Sequence, residues 1–278
     1  MGSAMQIAAI QMVSGARLDD NLQAAADLLA QAAHQGAELA LLPEYFCCMG
    51  LRDTDKLAIQ EPFGSAGSGP IQDFLAAQAR TLGIWIVGGT LPLASARADK
   101  VYNSSLAFDP QGRCVARYDK VHLFRFDNGS EAYDESRVLL PGAQPVVFDL
   151  PARDGHRWRV GLSVCYDLRF AELYRAYAAQ GADLLLVPSA FTYTTGQAHW
   201  ELLLRARAVE NLCFVAAAAQ GGVHANGRHT WGHTMVVDPW GTVLAQQAQE
   251  PGVVLADLDA GRLAAVRAQL PALQHRVL

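Results

Sequence analysis

Two hydrophobic periods alternate along the chain. Short apolar runs bounded by turn residues predict buried strands, whereas apolar positions that recur every three or four residues predict amphipathic helices. The predicted strands are Met5–Met12, Glu38–Leu42, Ile84–Gly89, Val101–Phe108, Arg113–Tyr118, Trp158–Val164, Asp183–Val187, Phe214–Ala219, Met235–Asp238 and Val253–Asp257. The predicted helices are Asn21–Gln35, Ile71–Leu82, Phe170–Gln180 and Ala198–Leu212.

The order of these elements predicts one α/β domain with a mixed sheet covered by helices. Residues 109–112 (DPQG) are expected to close a hairpin, and residues 239–241 (PWG) a turn between the last two predicted strands. The glycine-rich stretch GSAGSGP (64–70) is short enough to be a surface loop. We therefore expect a single domain over residues 5–278, preceded by an N-terminal extension or cloning scar over residues 1–4.

Composition and charge narrow the class of partner. Hydrophobic residues make up 51% of the 278 residues and charged residues 18%, which indicates a large core. The formal net charge of −5 disfavours a nucleic-acid partner. No apolar run is long enough for a transmembrane helix, and no secretory signal is visible. Five cysteines at irregular spacing indicate a reducing compartment. We expect a cytoplasmic protein that acts on a small molecule.

Three reactive side chains follow predicted strands, at the points where those strands end: Glu44, Lys120 and Cys165. In open α/β sheets the crevice beyond the strand ends is the usual ligand site. A thiolate there can attack a carbonyl carbon, a carboxylate can move protons and an ammonium can stabilise the oxyanion. A solvated loop carboxylate is the alternative interpretation of an isolated strand-end glutamate.

Cys165 has the most reactive setting among the five thiols. It leaves a strand at a sharp turn toward a helix that begins near Phe170, and a helix N-terminus lowers the pKa of a thiol. The other cysteines lie in apolar strands or beside Glu44, where packing or loop roles are expected: Cys47, Cys48, Cys114 and Cys213.

Other arrangements are weaker candidates. Cys165 with His122 or His199 lacks the sequence context of a papain-like pair. The loop at residues 64–70 lacks the Lys-Ser/Thr of a phosphate loop. Three histidines match no zinc-ligand spacing, so loop or interface roles are expected of them and we expect no metal or cofactor: His224, His229 and His233.

Three segments resemble the signature motifs of the nitrilase superfamily of carbon–nitrogen hydrolases, in the order found there. They are LPEYF (42–46), YDKVHLF (118–124) and SVCYDLRFAELYR (163–175). The likeness runs from AAIQM near the start to ALQHR near the end. This resemblance implies a four-layer αββα sandwich that assembles as a homodimer or higher homo-oligomer.

The resemblance also assigns roles to four residues. It implies that Cys165 is the nucleophile, Glu44 the general base and Lys120 the group that stabilises the tetrahedral oxyanion. The family has a second glutamate in a Glu-Ser…Pro-Gly segment, here ESRVLLPG (135–142), which identifies Glu135. Glu135 is expected to orient Lys120 or the attacking water and to share in proton transfer. Glu131 is the alternative, but no serine follows it.

Two later segments indicate the substrate class. PSAFTYTTGQAHWELLLRARAVEN (188–211) and AAAAQGGVHANGRHTWGHTMVVDPWG (216–241) resemble the branch that contains omega-amidases and amidases of deaminated glutathione. The resemblance implies hydrolysis of 2-oxoglutaramyl-Cys-Gly to 2-oxoglutarate and Cys-Gly, as metabolite repair. The alternatives are an omega-amidase acting on 2-oxoglutaramate and a catalytically silent binding protein on the same fold.

The expected substrate pocket combines four residues near the nucleophile: Tyr166, Arg169, Phe191 and Thr195. A backbone N–H at position 166 is expected to help hold the oxyanion. The Arg169 guanidinium suits a carboxylate of the substrate, although an ion pair with Glu172 or Asp167 is the alternative. The resemblance implies an aromatic wall at Phe191 and a hydroxyl contact at Thr195.

Overall fold

The computed structural model describes residues 4–64 and 67–277, so residues 1–3 of the expected extension lie outside the described residues. The strands are β1 (Met5–Gln11), β2 (Leu39–Leu41), β3 (Trp85–Val87), β4 (Leu91–Ala94), β5 (Val101–Phe108), β6 (Cys114–Asp119), β7 (Arg125–Asp127), β8 (Ala132–Asp134), β9 (Leu139–Leu140), β10 (Val146–Pro151), β11 (Arg157–Leu162), β12 (Leu184–Leu186), β13 (Phe214–Ala217), β14 (Gly221–Val223), β15 (His229–Trp231), β16 (Thr234–Val237), β17 (Val243–Gln247) and β18 (Gly252–Leu258). The helices are α1 (Leu18–His34), α2 (Asp55–Ala58), α3 (Pro70–Leu82), α4 (Ala171–Ala179), α5 (Tyr193–Asn211) and α6 (Ala260–Gln269).

The strands build two large sheets. The first has the order β18-β1-β2-β3-β5-β4, with β6 and β9 also paired to β5. Its central strands β1, β2 and β3 run parallel because helices α1 and α3 make the crossovers. The second sheet has the order β10-β11-β12-β13-β16-β17, and helices α4 and α5 connect its parallel strands β11, β12 and β13.

Side-chain alternation along β1 shows how the layers stack. Ile7 and Ala9 join a core cluster that includes residues of both sheets. Ala8 and Ile10 join a second cluster with buried residues of α1 and α3. Helices α4 and α5 cover the outer face of the second sheet. This arrangement confirms the expected αββα sandwich. No helix in the described ranges is long and apolar enough to cross a membrane.

The structure corrects the order of the last predicted strands. The turn at residues 239–241 leads into β17, which the sequence did not predict, rather than into β18. Side chains of β17 alternate between half-buried and exposed, so this edge strand lacks the apolar run that identifies a buried one. Asp238 closes the turn by accepting hydrogen bonds from the backbone N–H groups of Trp240 (2.9 Å) and Thr242 (2.8 Å).

Helix α5 begins at Tyr193, five residues before the start predicted at Ala198. The sequence there, YTTGQ, is typical of a loop, and Gly196 weakens a helix by its own propensity. Tertiary packing overrides that propensity, because a Cβ atom at Gly196 would lie 2.3 Å from the Cβ of Trp231. The missing side chain lets β15 approach the first turns of α5.

Candidate active site

Glu44 follows β2 and is buried at the end of that strand, with 1% of its surface exposed. Its Oε1 accepts hydrogen bonds from Asn103 Nδ2 (2.9 Å) and Lys120 Nζ (2.8 Å). Its Oε2 accepts one from the backbone N–H of Ala190 (2.9 Å). This buried carboxylate is therefore held in one orientation by groups from both sheets, which excludes the solvated-loop interpretation.

Lys120 follows β6, is fully buried and lies between two carboxylates. Its Nζ is 2.8 Å from Oε1 of Glu44 and 2.8 Å from Oε2 of Glu135. Burial disfavours the charged amine, but Glu135 and Glu44 outweigh burial and raise the pKa of Lys120 above its ordinary value. The ammonium is therefore a fixed positive charge in this site.

Glu135 begins the short 3₁₀ turn Glu135–Arg137. Its Oε1 accepts a hydrogen bond from the Tyr45 hydroxyl (2.9 Å), and its Oε2 accepts one from the backbone N–H of Phe124 (2.8 Å). Burial alone would raise the pKa of Glu135, but the Lys120 ammonium lowers it below its ordinary value. Glu131 lies in the loop between β7 and β8, so Glu135 is the glutamate that reaches Lys120.

Cys165 is the first residue of the 3₁₀ turn Cys165–Arg169, which follows β11. Its φ of +50° is in the left-handed region, which an L residue adopts at a cost. Burial raises the pKa of the thiol, and the facing Glu44 raises it further, although Lys120 opposes this. The pKa that we expected to be lowered by a helix N-terminus is therefore raised, because α4 begins six residues later and the thiol is desolvated.

A buried carboxylate that the sequence did not reveal supports the nucleophile turn. Asp167 accepts hydrogen bonds from the Tyr118 hydroxyl (2.7 Å) and the backbone N–H of Val164 (2.8 Å). His122 Nδ1 lies 2.7 Å from the same carboxylate. His122 therefore pairs with Asp167, and His199 lies 3.3 Å from the terminal nitrogens of Arg169, so neither histidine is paired with Cys165 as a papain-like arrangement requires. The sequence signal that could have identified this supporting role is an acidic residue two positions after Cys165.

The four expected pocket residues line one pocket together with Cys165. The Arg169 guanidinium lies 5.4 Å from the ring centroid of Phe191 and 5.8 Å from that of Tyr166. Both terminal nitrogens of Arg169 are 3.3 Å from His199 Nδ1. Three further lining residues were not anticipated: Phe124, Ala190 and Thr192.

The groups that suggested other chemistry have structural contacts. His224 is buried between the carbonyl oxygen of Ser14 (2.9 Å) and the hydroxyl of Thr230 (2.7 Å). No cluster of three or more potential metal ligands occurs in residues 4–64 and 67–277. Glu61 accepts hydrogen bonds from the first free N–H groups of α3, at Ile71 (2.5 Å) and Gln72 (3.1 Å). A carboxylate thus occupies the helix end that a phosphate loop would leave open.

The geometry combines a thiol with a proton relay. A protonated thiol faces the carboxylate of Glu44, which shares the Lys120 ammonium with Glu135. The carboxylate can take the thiol proton during attack on a carbonyl carbon, and the ammonium can balance negative charge on the oxygen. Attack by an activated cysteine on an amide or nitrile carbon fits this set.

Comparisons with known proteins agree with that chemistry. The family model for carbon-nitrogen hydrolase matches residues 6–268. A deaminated glutathione amidase from Synechocystis sp. (strain PCC 6803 / GT-S) is 43% identical over 273 residues, which cover 97% of each chain. Human omega-amidase NIT2 is 38% identical, with 99% of this chain and 95% of the relative covered.

A solved amidase structure shows chemistry at the cysteine of a related fold. It is a mutant amidase from Nesterenkonia sp. AN1 with the acetamide moiety of fluoroacetamide covalently added at its active-site cysteine. That protein is 33% identical to this chain, with a TM-score of 0.77. The alignment covers 97% of this chain and 96% of that one.

Proposed function

The chain belongs to the carbon–nitrogen hydrolase family and hydrolyses amide C–N bonds, and we propose that its substrate is deaminated glutathione. The products are 2-oxoglutarate and Cys-Gly, and the physiological role is metabolite repair. The observation that carries this proposal is that Arg169 lines one pocket with Cys165 and can offer paired donors to a carboxylate there. The 43% identity to a deaminated glutathione amidase supports the same substrate.

The proposed reaction begins with attack by Cys165 on the amide carbon. Glu44 removes the thiol proton as the Sγ–C bond forms and the carbonyl oxygen becomes an oxyanion. The ammonium of Lys120 and the backbone N–H of Tyr166 stabilise that oxyanion. The C–N bond then breaks, Glu44 returns the proton to the leaving nitrogen, and Cys-Gly departs from a thioester.

Water completes the proposed cycle. Glu44 removes a proton from a water molecule that attacks the thioester, and the thiolate that leaves takes the proton back. Glu135 holds Lys120 in place, because Nζ of Lys120 lies 2.8 Å from its Oε2 and 2.9 Å from its Oε1. Glu135 also orients the water. The residues supply acid–base and nucleophilic chemistry without a cofactor.

The acyl pocket is proposed to recognise the 2-oxo-carboxylate end of the substrate. The guanidinium of Arg169 offers paired donors that match a carboxylate, and a lysine would not reproduce that geometry. Asp167, one of the two expected partners of Arg169, is instead occupied by Tyr118 and His122. The ring of Phe191 packs against the ring of Trp200, with 5.0 Å between the ring centroids, and this contact gives the pocket a fixed aromatic wall.

A substrate panel tests the proposal through release of the acyl product, which is 2-oxoglutarate from the oxo-acid amides and glutamate from glutathione and glutamine. We expect deaminated glutathione to be the best substrate, 2-oxoglutaramate slower, and intact glutathione nearly inert because its ammonium replaces the oxo group near Arg169. An equal or higher rate with intact glutathione or glutamine would contradict the pocket assignment. Turnover of no amide, nitrile or carbamoyl compound, with Cys165 resistant to alkylation, would indicate a silent binding protein.

The second candidate is an omega-amidase acting on 2-oxoglutaramate. The 38% identity to human omega-amidase NIT2 favours it, and both substrates present the same acyl group to the pocket. The leaving group distinguishes them, since one enzyme releases a dipeptide and the other ammonia. A higher kcat/KM for 2-oxoglutaramate than for deaminated glutathione would favour this candidate.

We also propose a cytoplasmic homodimer of one hydrolase domain. All five cysteines are free thiols, which suits a reducing compartment. Apolar side chains are exposed on α5 and the turn beside it, including Leu202 at 69% exposure and Trp240 at 54%. Light scattering on the wild type and on Leu202→Glu tests the assembly: we expect a dimer that the charge weakens. A monomeric wild type would contradict the proposal.

A further inference from the structure

A second cleft adjoins the active site. It shares only Phe124 with the acyl pocket. Glu135 and Tyr45 form part of its wall, and these two residues are hydrogen-bonded to each other at 2.9 Å. Because Glu135 also contacts Lys120, the wall of the cleft includes one of the residues of the proposed proton relay.

Arg228 lines this cleft from the segment between β14 and β15. Its guanidinium lies 5.0 Å from the ring centroid of Tyr133, and one terminal nitrogen donates to the carbonyl oxygen of Ala190 (3.3 Å). Ala190 in turn donates its N–H to Glu44, so Arg228 is linked to the proposed base through a single residue, Ala190. Arg228 Nε is buried and has no hydrogen-bond partner within the described residues.

Lys56 of α2 is the second cation of the cleft. Its side chain is 14% exposed, and its ammonium lies 4.6 Å from the ring centroid of Tyr45. The closest carboxylate contact is with Asp53 at 3.8 Å, and that side chain is 68% exposed. Burial lowers the pKa of Lys56, which is the effect of a poorly compensated charge.

Asp53 is the only described carboxylate of the cleft that contacts Lys56, and none of the described carboxylates accepts a hydrogen bond from Arg228. Glu135 accepts its short contacts from Lys120. Asp134 accepts hydrogen bonds from the Ser136 backbone N–H and hydroxyl. A buried guanidinium donor without a partner costs free energy that a bound carboxylate would recover. The cleft therefore offers two cationic side chains to a small anion.

We propose that Lys56 and Arg228 form a leaving-group subsite that binds the terminal carboxylate of the amine product. This inference rests on the proposed function and deepens it, because 2-oxoglutaramyl-Cys-Gly carries a carboxylate at each end. Arg169 receives the carboxylate of the acyl group, and the cleft receives that of the dipeptide. Ammonia, the leaving group of 2-oxoglutaramate, has no carboxylate, so this subsite selects the peptide substrate over the simple amide.

The ratio of kcat/KM for deaminated glutathione to that for 2-oxoglutaramate tests the subsite. We expect Arg228→Gln to lower this ratio by about 10- to 100-fold, the effect of a lost charged hydrogen bond, mainly through KM for the peptide substrate. Lys56→Gln should lower it less, and Arg228→Lys should restore part of it. Arg157→Gln, which changes an exposed arginine of β11, is the matched control and should leave the ratio unchanged.

A second substrate identifies the interacting group. The C-terminal amide of deaminated glutathione lacks the terminal carboxylate. The kcat/KM of the wild type for this amide should therefore be as low as the kcat/KM of Arg228→Gln for the acid. Arg228→Gln itself should have the same kcat/KM for acid and amide. Equal use of acid and amide by the wild type would overturn the subsite. An equal loss on both substrates in Arg228→Gln would also overturn it and would indicate positioning of Glu44 through Ala190.

Binding of the free product separates this inference from the proposed function. Ligand-observed NMR should detect binding of cysteinylglycine to the wild type and no binding of the C-terminal amide of cysteinylglycine. Arg228→Gln should lose this preference for the acid. If the wild type hydrolyses neither substrate, the proposed function is wrong, whereas this binding preference would still support an anion subsite. Absence of any preference for the acid would overturn the subsite whatever the enzyme hydrolyses.

Discussion

The chemistry of individual residues depends on how one ammonium, two carboxylates and a thiol share one buried site. Lys120 is in contact with Glu44 and Glu135, so one cation faces two carboxylates. A free thiolate at Cys165 would add a third negative charge, which is why the pKa of this thiol is raised. Deprotonation of Cys165 must therefore accompany attack on the substrate. This requirement gives Glu44 the role of a base and not that of a thiolate stabiliser.

Replacement of Glu44 by glutamine separates these two roles. We expect amide turnover to fall by about 10²- to 10⁴-fold because the general base is lost. The pKa of the Cys165 thiol should nevertheless fall, since a nearby negative charge has been removed. Iodoacetamide alkylation of Cys165 as a function of pH measures that pKa. An upward shift, or normal turnover, would contradict the assignment.

Replacement of Lys120 by methionine tests the charge balance through stability. Removing one partner of a buried ion pair costs about 3–5 kcal/mol, so the free energy of unfolding should fall by that amount at pH 7. Glu135 has a lowered pKa in the folded protein, so its stabilising contribution is present above about pH 4.3 and is lost as the pH falls through the folded pKa.

The difference in the free energy of unfolding between wild type and Lys120→Met should therefore become smaller toward pH 4, where the unpaired carboxylates of the variant become protonated. Urea unfolding at pH 7 and pH 4 measures this difference. A difference that is constant with pH would show that Lys120 stabilises the fold by packing alone. Arg157→Met changes an arginine of β11 whose side chain is 71% exposed and is the control, with little expected effect at either pH.

The residues found from sequence are those that short motifs identify. Glu44, Lys120, Glu135 and Cys165 each lie in a recognisable segment, and the structure brings all four together. Lys56 and Arg228 were not found, because the residues that pack against them are distant in the chain: Tyr45 against Lys56, and Tyr133 and Ala190 against Arg228. A charged residue in a polar loop has no local pattern that distinguishes a buried cation from a solvated one.

At the scale of elements, the turn after β11 determines where the nucleophile points. Cys165 adopts a positive φ, and its backbone N–H donates to the carbonyl oxygen of Pro188 at 3.0 Å. Asp167 fixes the same turn by bonding Val164 on one side and Tyr118 of β6 on the other. The turn that carries the nucleophile is thus tied to the strand that Lys120 follows.

Replacement of Asp167 by asparagine should loosen this turn. The amide retains the shape but loses the charge, so we expect the free energy of unfolding to fall by about 1–3 kcal/mol. We also expect kcat to fall more than KM changes, since the nucleophile is displaced while the acyl pocket remains. Tyr118→Phe removes one of the bonds and should give a smaller loss of both. Unchanged kcat in Asp167→Asn would contradict a positioning role.

Elements were predictable where burial leaves a pattern. Buried strands β1 and β13 have apolar runs, and their predicted bounds extend one and two residues beyond those in the structure, while the predicted bounds of β5 match the structure. Strand β17 lies at a sheet edge, and α5 starts within a Thr- and Gly-rich segment. In these two cases packing against distant strands decides the conformation, which local sequence does not record.

At the scale of the whole molecule, the active site exists only where the two sheets meet. Glu44 and Lys120 follow strands of the first sheet, whereas Cys165 follows a strand of the second. The backbone N–H of Ala190, beyond β12 of the second sheet, holds Glu44. The site is therefore assembled by the αββα packing. The sequence predicted these layers through the family resemblance, because hydrophobic periodicity alone does not specify which sheets stack.

Intact-protein mass spectrometry on a quenched reaction tests the covalent mechanism most directly. Wild-type protein mixed with deaminated glutathione and stopped in acid within milliseconds should carry one added 2-oxoglutaryl group, with the adduct mapping to Cys165. Cys165→Ala should show no adduct and almost no turnover, while Cys114→Ala should resemble the wild type. Hydrolysis by Cys165→Ala at the wild-type rate, or an adduct on another residue, would contradict the assignment of Cys165 as the nucleophile.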